Sequence, residues 1–180
     1  MRRLIAASVI ALAACGPKDT PAKPATDSAF AAVQERGQAV MGVDQYTSMH
    51  VFEDLPDGGR IVLDRGDTTD TAGITTIRAH MRQIAGDFRD GDFSKPFAVH
   101  AMEVPGTKVM AARHEKISYE VVDRPHGAEV RIRTGDPEAV AAVHEFLAFQ
   151  RSDHRAAGHE GMDHSGHAAT PPSPTPGARP

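Results

Sequence analysis

"DLPDGGRIVLDRGD" at residues 54–67 and "DRPHGAEVRIRTGD" at residues 123–136 follow one pattern, displaced by 69 residues. At that displacement Asp54 meets Asp123, Pro56 meets Pro125, Gly58 meets Gly127, Ile61 meets Val130, Leu63 meets Ile132 and Asp67 meets Asp136. In the first copy Pro56 opens a turn and Asp57-Gly58-Gly59 offers residues that tolerate positive φ, so "YTSMHVFED" and "GRIVLDR" on either side read as a hairpin. Side chains alternate along a strand, which places Ile61 and Leu63 on one face and Arg60, Val62 and Asp64 on the other. Two unrelated hairpins with the same turn chemistry would align equally well, so the repeat is one of two readings at this stage.

A helix follows each copy. After the first, Ile74, Ile77, Met81, Ile84 and Phe88 recur at helical spacing. After the second, Asp136 is an N-cap with Pro137 at the first helical position, and Val140, Val143 and Leu147 share one stripe. The segments leading into the two helices differ in length, so sequence alone does not fix how the helices align. Phe30, Val33, Val40 and Met41 mark an earlier helix despite Gly37. The intervening "KPFAVHAMEVPGTKVMAARHEKISYEV" reads as strand-rich, with a turn at Pro105-Gly106. The expected fold class is α+β: an antiparallel sheet with helices packed on one face, arranged as two ββα-like halves.

The ends carry an address. "MRRLIAASVIALAACG" has Arg2 and Arg3 ahead of an apolar run from Leu4 to Ala14, too short to span a bilayer, which reads as a signal peptide over residues 1–14. Leu12-Ala13-Ala14-Cys15-Gly16 resembles the bacterial lipobox, which implies cleavage before Cys15 and lipidation of its thiol; an ordinary secretory signal with an incidental cysteine is the alternative. More than one acyl chain on Cys15 would make membrane attachment stable. Gly16 in place of Asp resembles outer-membrane sorting, so the expected site is the cell envelope, facing the periplasm and on the outer rather than the inner membrane. Residues 15–28 read as a tether, residues 29–153 as one domain, and residues 154–180 as a disordered tail that turns proline-rich.

Composition narrows the chemistry. A net charge of −4 leaves no basic footprint for nucleic acid. Cys15 is the one cysteine, so once it is lipidated the mature chain has none for a disulfide, a thiolate metal site or a nucleophile. No GxSxG, HExxH or phosphate-cradling glycine loop is present. What stands out is histidine. The tail segment "GHEGMDHSGHA" and the residues before it hold His154, His159, Met162, His164 and His167, and imidazole with thioether suits copper, with silver or zinc as alternatives. A histidine-rich tail that is merely solvated is the competing reading. Within the domain, His100 and Met102 would share one strand face, and Met110 and His114 a face of the next, so the four would gather as a nitrogen–sulfur cluster. The alternative makes the methionines core filler and His100 a satisfied core histidine. His80 and His144 read as boundary residues of their helices, and Met49 and His50 point opposite ways on a strand.

"GMDHSGHA" resembles segments of bacterial copper-resistance proteins. "QERGQAVMGVDQYTSMHVFEDLPDGGRIVLDR", "AVHAMEVPGTKVMAARHEKISYEV" and "VHEFLAFQRSDH" resemble a bacterial lipoprotein family found among heavy-metal and copper-resistance proteins and sometimes labelled aspartate carbamoyltransferase. The resemblance implies metal tolerance and supplies no catalytic residues. Carbamoyl transfer would call for a two-domain α/β body and a Ser-Thr-Arg-Thr-type phosphate loop, and neither is legible here. Three functions therefore stand as expectations: a non-enzymatic, lipid-anchored copper binder; an envelope adaptor whose domain binds another envelope protein; and, last, a carbamoyltransferase-type enzyme.

Overall fold

The computed structural model describes residues 25–156. The signal segment, Cys15, His159, Met162, His164 and His167 lie outside the described residues. Among the described residues no helix is long and apolar enough to cross a membrane.

Two hairpins build one sheet. Strands β1 (Ser48–Leu55) and β2 (Gly58–Arg65) are joined by Pro56-Asp57, and β3 (Ile117–Arg124) and β4 (Gly127–Thr134) by Pro125-His126. All neighbours are antiparallel, in the order β1-β2-β4-β3. The central β2–β4 pairing sets Ile61 opposite Val130, and these are the repeat mates read from the sequence. Mates that face each other across an antiparallel pair lie on a two-fold axis through the sheet. The repeat is therefore a structural pseudo-dyad.

The axis explains both turn glycines. A Cβ on Gly58 would lie 2.4 Å from the Ile132 carbonyl oxygen, and one on Gly127 would lie 1.9 Å from that of Leu63. Leu63 and Ile132 are themselves mates, so each hairpin presses its glycine onto the other's strand where no side chain fits. The same symmetry repeats in the hydrogen bonds: Arg65 N donates to His126 O at 2.8 Å and Thr134 N to Asp57 O at 2.9 Å.

Helix α2 (Thr71–Arg89) follows the first hairpin and α5 (Pro137–Asp153) the second. Asp70 caps α2 by accepting from Gly73 N, and Asp136 caps α5 by accepting from Glu138 N and Ala139 N. These caps fix the helix alignment that sequence left open: equivalent helix positions are 66 residues apart, because the first half has three more residues between strand and cap. The buried stripes then coincide, Ile77 with Val143, Met81 with Leu147 and Ile84 with Gln150. Each helix lies over the hairpin of the other half, α2 on β3 and β4, α5 on β1 and β2. Both cover the face bearing Ile61, Leu63, Ala128, Val130 and Ile132, and this interface is the core. The opposite face carries ion pairs, among them Arg60 with Glu53 and Arg124 with Asp64.

Three expectations need correction. The stretch read as strand-rich opens with two short helices, α3 (Ser94–His100) and α4 (Thr107–Ala112), and the strands begin only at Ile117. Burial of Pro96, Val99 and His100, and of Thr107 and Met110, follows helical and not alternating spacing. Gly106, at φ 81°, starts α4 in the left-handed conformation that an L side chain resists. The folded body also begins before residue 29: α1 spans Ala25–Met41, since the Gly and Pro residues that mark the tether all precede residue 25. It ends later too, because His154 is the C-cap of α5 and is buried, and Ala156 packs against the core. α1 is held to α3 through Arg36, whose Nε donates to Val99 O at 2.6 Å.

Candidate functional site: a histidine chamber

One cavity of about 70 Å³ opens where α1, α2, α3 and α5 meet the β1–β2 edge of the sheet. Four histidines line it: His50 from β1, His80 from α2, His100 from the last turn of α3 and His154 at the end of α5. Met41 and Met81 line it as well, among Phe52, Ile84, Val99 and other apolar side chains.

Each histidine arrives by a local rule. His50 lies on the inward face of β1 with Phe52, while Met49 faces outward and is exposed. His80 belongs to the buried stripe of α2. His100 ends α3, where Ala101 takes a left-handed conformation and turns the chain away. His154 is one turn beyond Gln150 on the buried side of α5.

The rings pack against one another. His50 and His154 are parallel within 5°, their centroids 5.7 Å apart, and His100 stands edge-on to His154 at 5.0 Å. Both nitrogens of His100 are engaged: Nδ1 with Asp153 Oδ2 at 2.5 Å and Nε2 with Gln150 Oε1 at 3.1 Å. Nε2 of His50 is buried and has no hydrogen-bond partner. Burial pushes the His50 pKa down to about 4, helped by the nearby His80 and opposed by a hydrogen bond to the Ser48 backbone. Burial likewise lowers His80 to about 4, with Lys95 adding to the effect and Asp87 opposing it, and His154 to about 3, with His50 and His100 adding. These three imidazoles are neutral at pH 7, the state in which a ring nitrogen carries a lone pair for a metal. Among the described residues, no group of three or more His, Cys, Asp or Glu side chains is placed to hold a metal ion.

Of the domain cluster expected from strand spacing, His100 alone lines the chamber. Met102 is exposed, Met110 is fully buried core, and His114 is hydrogen-bonded through Nδ1–H to Arg89 O at 2.9 Å. They do not gather, because the segment is helical. His154, assigned to the tail, belongs to the chamber instead. His144 is a latch: Nε2–H donates to Leu55 O at 2.9 Å, as its mate Arg78 donates to Arg124 O at 2.6 Å across the dyad.

His50, His80, Met41 and Met81 were not singled out as ligands by their sequence patterns, yet one signal was there. With the helices aligned at their Asp caps, histidines on one side of the dyad correspond to aromatic residues on the other. Together the fold and the cavity define a small α+β domain of two pseudo-symmetric ββα halves enclosing a histidine–methionine chamber. No family model, curated protein or solved structure matches the chain.

Proposed function

We propose that this is a non-enzymatic, lipid-anchored cell-envelope protein that binds copper, or a similar soft or borderline metal such as silver or zinc, in metal tolerance. The observation that carries this reading is the meeting of four histidines and two methionines in one apolar cavity of a chain whose one cysteine lies in a stretch that resembles the lipobox. Imidazole and thioether are the donors left to an envelope protein without free thiols, and thioether favours Cu(I). His159, Met162, His164 and His167 add a second set of such donors a few residues past the chamber. The anchor would be Cys15, with the chain facing the periplasm from the outer membrane.

Equilibrium dialysis of the mature chain against copper tests the reading. Replacing His159, His164 and His167 with Ala should lower the number of ions bound and leave the circular dichroism spectrum unchanged. The same stoichiometry in both proteins would make the tail a spectator. No copper bound by either would favour the adaptor function. In cells, Cys15→Ala should move the protein and its copper out of the membrane fraction.

A further inference from the structure

Both ends of the described body meet at one corner. Phe30, in the second turn of α1, lies against Arg155, just past the end of α5, with the guanidinium carbon 4.4 Å from the ring centroid. Tyr46 stands edge-on to Phe30, the ring centroids 6.3 Å apart. Tyr46 is 69% exposed, more than any other large hydrophobic side chain among the described residues. Its backbone is nevertheless pinned. It sits in the single 3-10 turn Gln45–Thr47, where Asp44 Oδ1 accepts from Tyr46 N and Asp44 O from Ser48 Oγ, both at 2.9 Å. From the far side Gly66 N donates to Thr47 O at 2.9 Å, and Arg65 donates to the Thr47 hydroxyl. The turn is thus fixed while the ring it carries is left outside. A lone exposed ring on a protein surface is ordinary. This one stands beside the helix from which the chain leaves for Cys15.

Resting on the lipid-anchored reading proposed above, we infer that this corner faces the bilayer, with Tyr46 and Phe30 at headgroup level and Arg155 toward the lipid phosphates. Cys15 lies ten residues before Ala25, where α1 begins. Ten residues reach at most roughly 33–36 Å, and Phe30 is only about 7.5 Å further along the helix. A short tether holds its neighbour at an effective concentration on the order of millimolar. A contact too weak to recruit a free protein therefore suffices for an anchored one. The chemistry fits a lipid surface: tyrosine joins an apolar ring to a polar tip, and arginine offers a cation to anionic headgroups. A protein partner fits less well. Two rings carry about 150–250 Å² each, well short of the roughly 800 Å² per partner of a stable protein interface.

The chain has no Trp, so Tyr46→Trp places a single fluorescent reporter at the corner. Cys15 is the one cysteine, so the mature chain can be coupled through it to a maleimide lipid in phosphatidylcholine vesicles containing phosphatidylglycerol. On these vesicles the reporter emission should shift to the blue and be quenched by lipids brominated near the headgroup end of the acyl chain. The uncoupled chain mixed with the same vesicles should show neither effect. Val122→Trp is the control, because Val122 is exposed on β3, the sheet edge opposite β1, and should stay unquenched. Arg155→Glu in the Tyr46→Trp chain should reduce the quenching. Emission that matches the uncoupled chain overturns the proposal, as does equal quenching of the Val122→Trp control. A blue shift without quenching that grows with the density of coupled protein also overturns it, since a second copy would then cover the corner. Failed quenching overturns the corner alone, because the coupling supplies the tether. An unlipidated Cys15 in cells overturns the anchor as well.

Discussion

Acidification from pH 7 to pH 5 should destabilise the metal-free folded chain by on the order of 6 kcal/mol, about 2 kcal/mol for each of three buried imidazoles. In the unfolded chain His50, His80 and His154 titrate near the ordinary value of about 6.5. In the fold they are held down to about 4, about 4 and about 3. Between those values the unfolded state binds more protons than the folded one, so stability is present at neutral pH and is lost as pH falls through 6.5 toward 4. The carboxylate that caps α5 lies outside this window, because hydrogen bonds led by that from Lys116 hold Asp136 down to about 2. The urea midpoint at pH 7 and at pH 5 measures the effect. His50→Tyr with His154→Phe should remove most of the slope and leave the share of His80. A midpoint that does not move would mean the imidazoles are hydrated in the fold.

Ile77→Asp should cost ~4 kcal/mol or more and leave the chain largely unfolded. Ile77 is 1% exposed in the middle of α2 and belongs to the hydrophobic core against the sheet, where a carboxylate would be buried among apolar side chains. Ala79, two residues along on the solvent side of the same helix, is the control: Ala79→Asp should change stability by about 0.5 kcal/mol or less. Far-ultraviolet circular dichroism with urea titration separates the two. Equal stability of both variants would place α2 in a different rotation about its axis.

The folded body was legible where local chemistry is strong. The two turn glycines, the Asp136-Pro137 cap and the stripe from Ile74 to Phe88 each point to one conformation, and the structure takes it. The segment from Ser94 to Ala112 was misread because alternation and helical spacing cannot be told apart over six or seven residues. His100 and Met102 satisfy a strand period, yet Pro96, Val99 and His100 satisfy a helical one, and packing of α3 on α1 decides between them. The chamber was hidden for another reason. Its histidines come from four elements far apart in sequence, and they meet only because α5 crosses back over the first hairpin. Within its own element His80 reads as a boundary residue, His50 as one of two strand neighbours pointing opposite ways, His100 as part of a strand cluster and His154 as part of the tail. The dyad that exposes them depends on a helix alignment set by the caps, and sequence alone could not choose it.

Copper binding is the central claim, and competition for Cu(I) tests it most directly. The mature wild-type chain, under anaerobic reduction, is titrated into Cu(I) held by a chromogenic chelator of known affinity. The protein should withdraw Cu(I) in proportion to the chain added, and a smaller, tighter fraction should persist when His159, His164 and His167 are Ala. A chelator spectrum that stays unchanged at every excess of wild-type protein would contradict the account.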